Sequence, residues 1–169
     1  MKNHRFILLL PLLLLIGGCA AQHGRVSHVG HMEKVRTTAY TQTEPGGWTS
    51  ACGTRLNCTE IIHSAAADWS RYPVGTTFRI MQTGEICRIE DYGSALVGTN
   101  TIDIFKDSRT KMRNWGVRIV DIKILQWGSP RRSLEILSPR AGHPKIRQMV
   151  LALREQTRGD PKKFRRIDS

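Results

Sequence analysis

Alternation with a period of two, in short runs broken by turn residues, leaves this chain few architectures. The longest run is Val117 to Trp127. There Val117, Ile119, Asp121, Lys123 and Leu125 alternate against Arg118, Val120, Ile122, Ile124 and Gln126, the period of a half-buried strand. Val35–Thr41, Ile61–Ala67, Thr76–Met81, Ile86–Asp91 and Thr101–Phe105 are shorter strand candidates, several of them rich in β-branched or aromatic residues. Glu44-Pro45-Gly46-Gly47 and Gln82-Thr83-Gly84-Glu85 supply turns, and residues 48–60 read as irregular. One short helix is expected over Ser108–Trp115, ended by Gly116. Short strands, frequent turns and one short helix predict a mainly β fold, a small β-barrel.

Two flanking segments differ in character. At the start, Lys2, His4 and Arg5 precede an apolar run from Phe6 to Ile16. That run is too short to span a bilayer, which takes ~20 apolar residues, and has the length of a signal-peptide core. Gly17-Gly18-Cys19 follows directly, and resembles a bacterial lipoprotein signal in which the cysteine is lipidated. Residues 1–18 then form a signal peptide, 19–34 a polar linker, 35–128 the barrel, and 129–169 a basic C-terminal extension. Within the extension, Gly128 to Arg132 reads as a break and Ser133 to Leu137 as a brief apolar run. Residues 144–158 read as an amphipathic helix: Ile146, Met149, Val150 and Leu153 recur at helical spacing, beside Arg147, Arg154 and Arg158. Such a helix either docks on the barrel or a partner, or lies on a membrane or wall surface.

The formal net charge of the 169 residues is +12, which calls for a polyanionic neighbour. The leader places the protein outside the cytoplasm and so argues against nucleic acid. It favours the cell envelope, with a membrane anchor at Cys19 and, in a cell with two membranes, an outer-membrane position facing the periplasm. Residues 129–169 hold 11 basic and four acidic residues, against 13 and ten in residues 19–128. The attraction to an anionic envelope surface therefore belongs to the tail. Apart from Cys19, Cys52, Cys58 and Cys87 remain. An oxidising envelope permits one bridge, and the spacing does not choose among the three pairings. That spacing does not suit a metal site, and no cofactor is expected.

Three segments each carry an aspartate beside turn residues: Asp68 before Pro73-Val74-Gly75-Thr76, Asp91 in Asp91-Tyr92-Gly93-Ser94-Ala95-Leu96-Val97-Gly98, and Asp103 in Ile102-Asp103-Ile104-Phe105. With Thr38-Ala39-Tyr40 and Trp115-Gly116-Val117-Arg118-Ile119-Val120, this ordered series resembles the three-aspartate domain of bacterial cell-wall proteins. The resemblance covers about residues 36–127. It implies a six-stranded double-psi β-barrel akin to the catalytic barrel of the membrane-bound lytic transglycosylase A family. Trp69 stands where that family usually has proline, and Tyr92 where it has threonine.

The resemblance implies action on peptidoglycan glycan strands. A lytic transglycosylase cleaves the β-1,4 bond after N-acetylmuramic acid without water, leaving a 1,6-anhydro end. One group must protonate the leaving oxygen and then take the proton of the attacking hydroxyl. An ordinary aspartate, with a pKa of ~3.9, is ionised near neutrality, so its pKa must be raised. Carried over from the family, Asp103 is the general acid/base and Asp91 the neighbouring carboxylate. Asp68, Tyr40, Thr76, Trp69 and Tyr92 are substrate-binding candidates. A non-catalytic wall-binding module and a glycan hydrolase are the alternatives.

Overall fold

The computed structural model describes residues 29–44, 47–59 and 61–159. Cys19 and the expected signal lie outside them. Six strands, β1 Met32–Tyr40, β2 His63–Ala66, β3 Thr77–Ile80, β4 Ile86–Asp91, β5 Thr101–Phe105 and β6 Arg118–Gln126, close in the order β1-β5-β2-β4-β3-β6. The strand count and the closure are as expected. The β1/β5 and β2/β4 pairs are parallel, and the remaining neighbours antiparallel. Parallel strands need crossovers; the long β1–β2 connection lays Trp48 against Phe105 of β5.

Alternation decides what fills the barrel. On β6, Val120, Ile122 and Ile124 are buried with Val35, Phe78, Ile80, Ile89, Ile102 and Ile104. A fully buried side chain of this size contributes ~1.5–3 kcal/mol. A smaller apolar cluster of Tyr40, Leu56, Ala66, Leu96 and Phe105 forms separately. Strand β5 is thus buried along its length except at Asp103, which is half-buried.

Helix α1, Arg109–Trp115, begins at Ser108, whose Oγ accepts from the Lys111 amide at 3.3 Å, and stops at Gly116, φ 61°. Residues Pro130–Leu137 form a second helix, α2, where only a break and a short apolar run were expected. The signal was present: Ser129 caps it, accepting from the Arg132 amide, and Pro130 occupies the first turn. Helix α3, Pro144–Gly159, packs against α2. Leu137, Met149, Val150 and Leu153 join the main core cluster, so the apolar face of α3 is covered by the protein itself. The helix is therefore docked within the protein by that face, while Lys145, Arg154 and Arg158 are left exposed.

Gly128 locks the end of β6 against the Pro73–Thr76 turn. A Cβ there would lie 2.2 Å from the Val74 carbonyl oxygen and 2.3 Å from that of Pro73. No helix among the described residues is long and apolar enough to cross a membrane. Cys52, Cys58 and Cys87 are all free thiols, so the structure contains none of the three possible bridges.

Candidate functional site

Register brings two of the aspartates into one row. Asp103 on β5 pairs with Thr38 on β1 and with Ala66 on β2, and Ala66 pairs with Asp91 on β4. Laterally paired residues project to the same face of a sheet. Thr38, Asp103, Ala66 and Asp91 therefore cross four adjacent strands side by side. At ~4.8 Å per strand, the two aspartate Cα atoms lie on the order of 10 Å apart, with Ala66, buried in the smaller apolar cluster, between them. A register shift between Ala65 and Ala66 skips Glu90 and sets Asp91, instead of its neighbour, opposite Ala66.

Both carboxyls are half-buried rather than sealed in the core. Burial lifts Asp103 to about 6; the Thr38 hydroxyl and Arg36 oppose the rise and Glu44 adds to it. The Thr38 hydroxyl donates to Asp103 Oδ1 at 2.7 Å. Asp91 is also raised by burial, against hydrogen bonds from the Tyr92 and Ala51 amides and the charge of Arg140. Those amides reach its Oδ1 at 2.9 and 3.1 Å. The charge that adds to burial at Asp103 is thus that of Glu44, whereas the neighbouring carboxylate expected from sequence was Asp91.

Tyr40 completes the acidic face. Its phenol is held far above the ordinary range, first by burial and then by Asp91, Asp103, Glu90 and Glu44. The side chain is 9% exposed, and its hydroxyl has no hydrogen-bond partner among the described residues. A neutral, unsatisfied O–H thus sits in the field of both aspartates. Beside it, Tyr40 and Trp48 each meet the Phe105 ring edge-on, at 5.5 and 5.7 Å. Trp48 is 42% exposed, with the Arg55 guanidinium 5.0 Å over its ring.

The remaining expected residues have other surroundings. Asp68 is buried: Oδ1 accepts from the Ser70 amide and hydroxyl, and Oδ2 from the Gly98 amide. It ties two loops together and is not paired across the row. Thr76 is fully buried, donating to the Pro73 carbonyl at 2.6 Å and accepting from the Gly128 amide at 3.0 Å. Trp69 is likewise fully buried, and its indole N–H donates to the Asp91 carbonyl at 2.7 Å. Neither Thr76 nor Trp69 offers a surface to a ligand, because each is spent on holding a turn or strand end. Tyr92 is half-buried, edge-on to Trp69 at 5.2 Å. Trp48 and Glu44 were not singled out in the sequence. The usable signal was an aromatic placed directly after the Glu44–Gly47 turn.

No family model matches the chain. It is similar to the cell wall-binding protein YocH of Bacillus subtilis (strain 168), with 35% identity over 92 residues. The match takes in 54% of this chain and 31% of that protein, so the chain spans less than a third of its relative's length.

Proposed function

We propose that this is a cell-envelope protein whose aspartate row binds peptidoglycan glycan strands and cleaves them as a lytic transglycosylase. The observation that carries this reading is the row itself. A carboxyl lifted to about 6 by burial shares one face with a second carboxylate and an unpartnered phenol. Asp103 in its protonated form gives its proton to the glycosidic oxygen as the C1–O bond breaks. Positive charge develops on the sugar ring, and Asp91, held by two amide donors, supplies negative charge beside it. The resulting Asp103 carboxylate then takes the proton of the muramic acid 6-hydroxyl, whose oxygen bonds to C1. The acid is regenerated and no water is consumed. Exposed Trp48 offers a ring for stacking, and the buried Tyr40 phenol stays neutral behind the carboxyls. Anchoring through lipidated Cys19 and attraction of the basic tail to an anionic envelope surface belong to the same proposal.

The test is digestion of purified sacculi, with products read by mass spectrometry. Anhydro-muropeptides with the unaltered protein, and none with Asp103→Asn, are expected. Reducing ends would instead assign a hydrolase. Sedimentation with sacculi but no soluble product would assign a binding module, the second reading, which is favoured by the name of the similar protein.

A further inference from the structure

A second cluster of reactive side chains lies apart from the aspartates. A cavity of about 580 Å³ is lined by Cys58, His63, Glu85, Lys106, Lys111 and Arg118, among others, and by none of Asp68, Asp91 and Asp103. Backbone geometry builds it. Cys58 and His63 form an isolated antiparallel bridge, closed by a turn in which the Thr59 amide donates to the Ile62 carbonyl. Bridge partners point to the same side, which brings Cys58 Sγ to 3.3 Å from His63 Nδ1. With Nδ1 as acceptor, the proton sits on Nε2, which faces Glu85 Oε1 at 3.6 Å. Glu85 is in turn fixed by Lys106 Nζ at 2.9 Å, and Lys106 lies 4.5 Å over the Trp115 ring.

We propose that this cavity is a thiol site, in which Cys58 is a nucleophile and His63 its base, for acyl donors that carry a carboxylate or phosphate. The order thiol, imidazole, carboxylate is that of an activated nucleophile whose base is oriented by a third group. Burial, reinforced by the charge of Lys106, lowers the His63 pKa against the pull of Glu85; Lys111 lowers it further and Asp107 raises it. The imidazole is therefore free to accept a proton. Burial alone would raise Glu85, but the Lys106 ammonium bonded to it pulls the other way and keeps the carboxylate ionised. Lys106 is paired with Glu85, and Lys111 with Asp107 at 2.8 Å. That leaves Arg118, bonded among the described residues to the Trp115 and Asn114 carbonyls, as the surplus positive charge that selects an anionic substrate. In the step, the Cys58 proton passes to His63 Nδ1 as Sγ bonds to the acyl carbon. The bond from that carbon to its alkoxide or thiolate leaving group breaks, the leaving group takes the proton from His63, and a thioester remains on Cys58.

The experiment uses the full chain and needs no variant at first. Iodoacetate and iodoacetamide are compared at low salt, and alkylation is followed in the separate peptides of Cys52, Cys58 and Cys87. Cys58 should react with iodoacetate at least about tenfold faster than free N-acetylcysteine, since Cys52, whose thiol burial pushes up to about 11, is a slow benchmark. It should also prefer iodoacetate over its neutral analogue. Lys111→Glu should lower that preference about two- to threefold. The monosuccinate ester of 4-nitrophenol should release nitrophenolate and leave one succinyl group on the Cys58 peptide. His63→Gln, checked for an unchanged melting temperature, should slow both reactions about tenfold or more. If unaltered Cys58 reacts no faster than N-acetylcysteine, or favours iodoacetamide, the proposal is overturned. This site does not rest on the aspartate chemistry, so failure of either leaves the other standing.

Discussion

At Asp103, the burial that lifts the carboxyl to about 6 also penalises its charge in the folded protein. The folded pKa lies above the unfolded value of ~3.9. The contribution of this group to stability is therefore complete below about 4 and is lost as pH rises through 6. Asp103→Asn should accordingly melt higher than the unaltered protein at pH 7.5, by about 1–2 kcal/mol after allowance for partial exposure, with no gain at pH 3.5. Thermal unfolding at the two pH values checks this. The same protonation sets the activity profile: a general acid must begin protonated. Glycan cleavage should fall about tenfold per pH unit above about 6, measured as anhydro product against pH. Tyr40→Phe removes a hydroxyl with no protein partner. A buried hydroxyl left unbonded carries its desolvation cost, so the variant should be more stable by about 1 kcal/mol in thermal unfolding. The pH profile of cleavage should be unchanged, because Tyr40 is not among the groups that set the Asp103 carboxyl. Asp103 and Asp91 were legible as a motif. The phenol's isolation was not, because an unsatisfied hydroxyl is a property of its surroundings.

Among the elements, the Pro73–Thr76 turn, the end of β6 and the start of α2 form one joint. Thr76 Oγ1 accepts from the Gly128 amide, the Ser129 amide donates to the Val74 carbonyl, and Ser133 Oγ accepts from the Val74 amide at 2.9 Å. Gly128→Ala would drive a methyl into two carbonyl oxygens and an amide nitrogen. It should cost about 3 kcal/mol, visible as a shifted denaturant midpoint. The strand β4 at Ile86–Asp91 has the bounds expected from alternation, and β5 at Thr101–Phe105 those expected of a short apolar run. Helix α2 is not legible from periodicity, since its eight residues open with Pro-Arg-Arg after Gly128-Ser129 and look like a break until Ser129 and Pro130 are taken as cap and first turn.

For the whole molecule, charge and core meet in α3. Met149, Val150 and Leu153 are buried, while Lys145, Arg154 and Arg158 are exposed. Removing the segment would open the core along with the charge. Replacing Lys145, Arg154 and Arg158 by Gln separates the two effects. That variant should melt as the unaltered protein does. Its attachment to sacculi should fall at low salt and converge with the unaltered protein at high salt, where exposed charges are screened. Co-sedimentation across a salt series reads this, and unchanged low-salt binding would exclude these three charges from the interaction.

Local chemistry determined much of this protein from sequence. Period-two alternation, turn residues and a basic, amphipathic C-terminal segment fix which stretches become strands and where the charge lies, because each acts over a few neighbouring residues. Tertiary structure alone decided that Asp91 and Asp103 share a row across Ala66, that Asp68, Thr76 and Trp69 are committed to loops and strand ends, and that Cys58 meets His63. Those outcomes rest on pairing register and on burial. Both arise only when strands distant in sequence close into a barrel and exclude water from one side of a carboxyl, a phenol and a thiol.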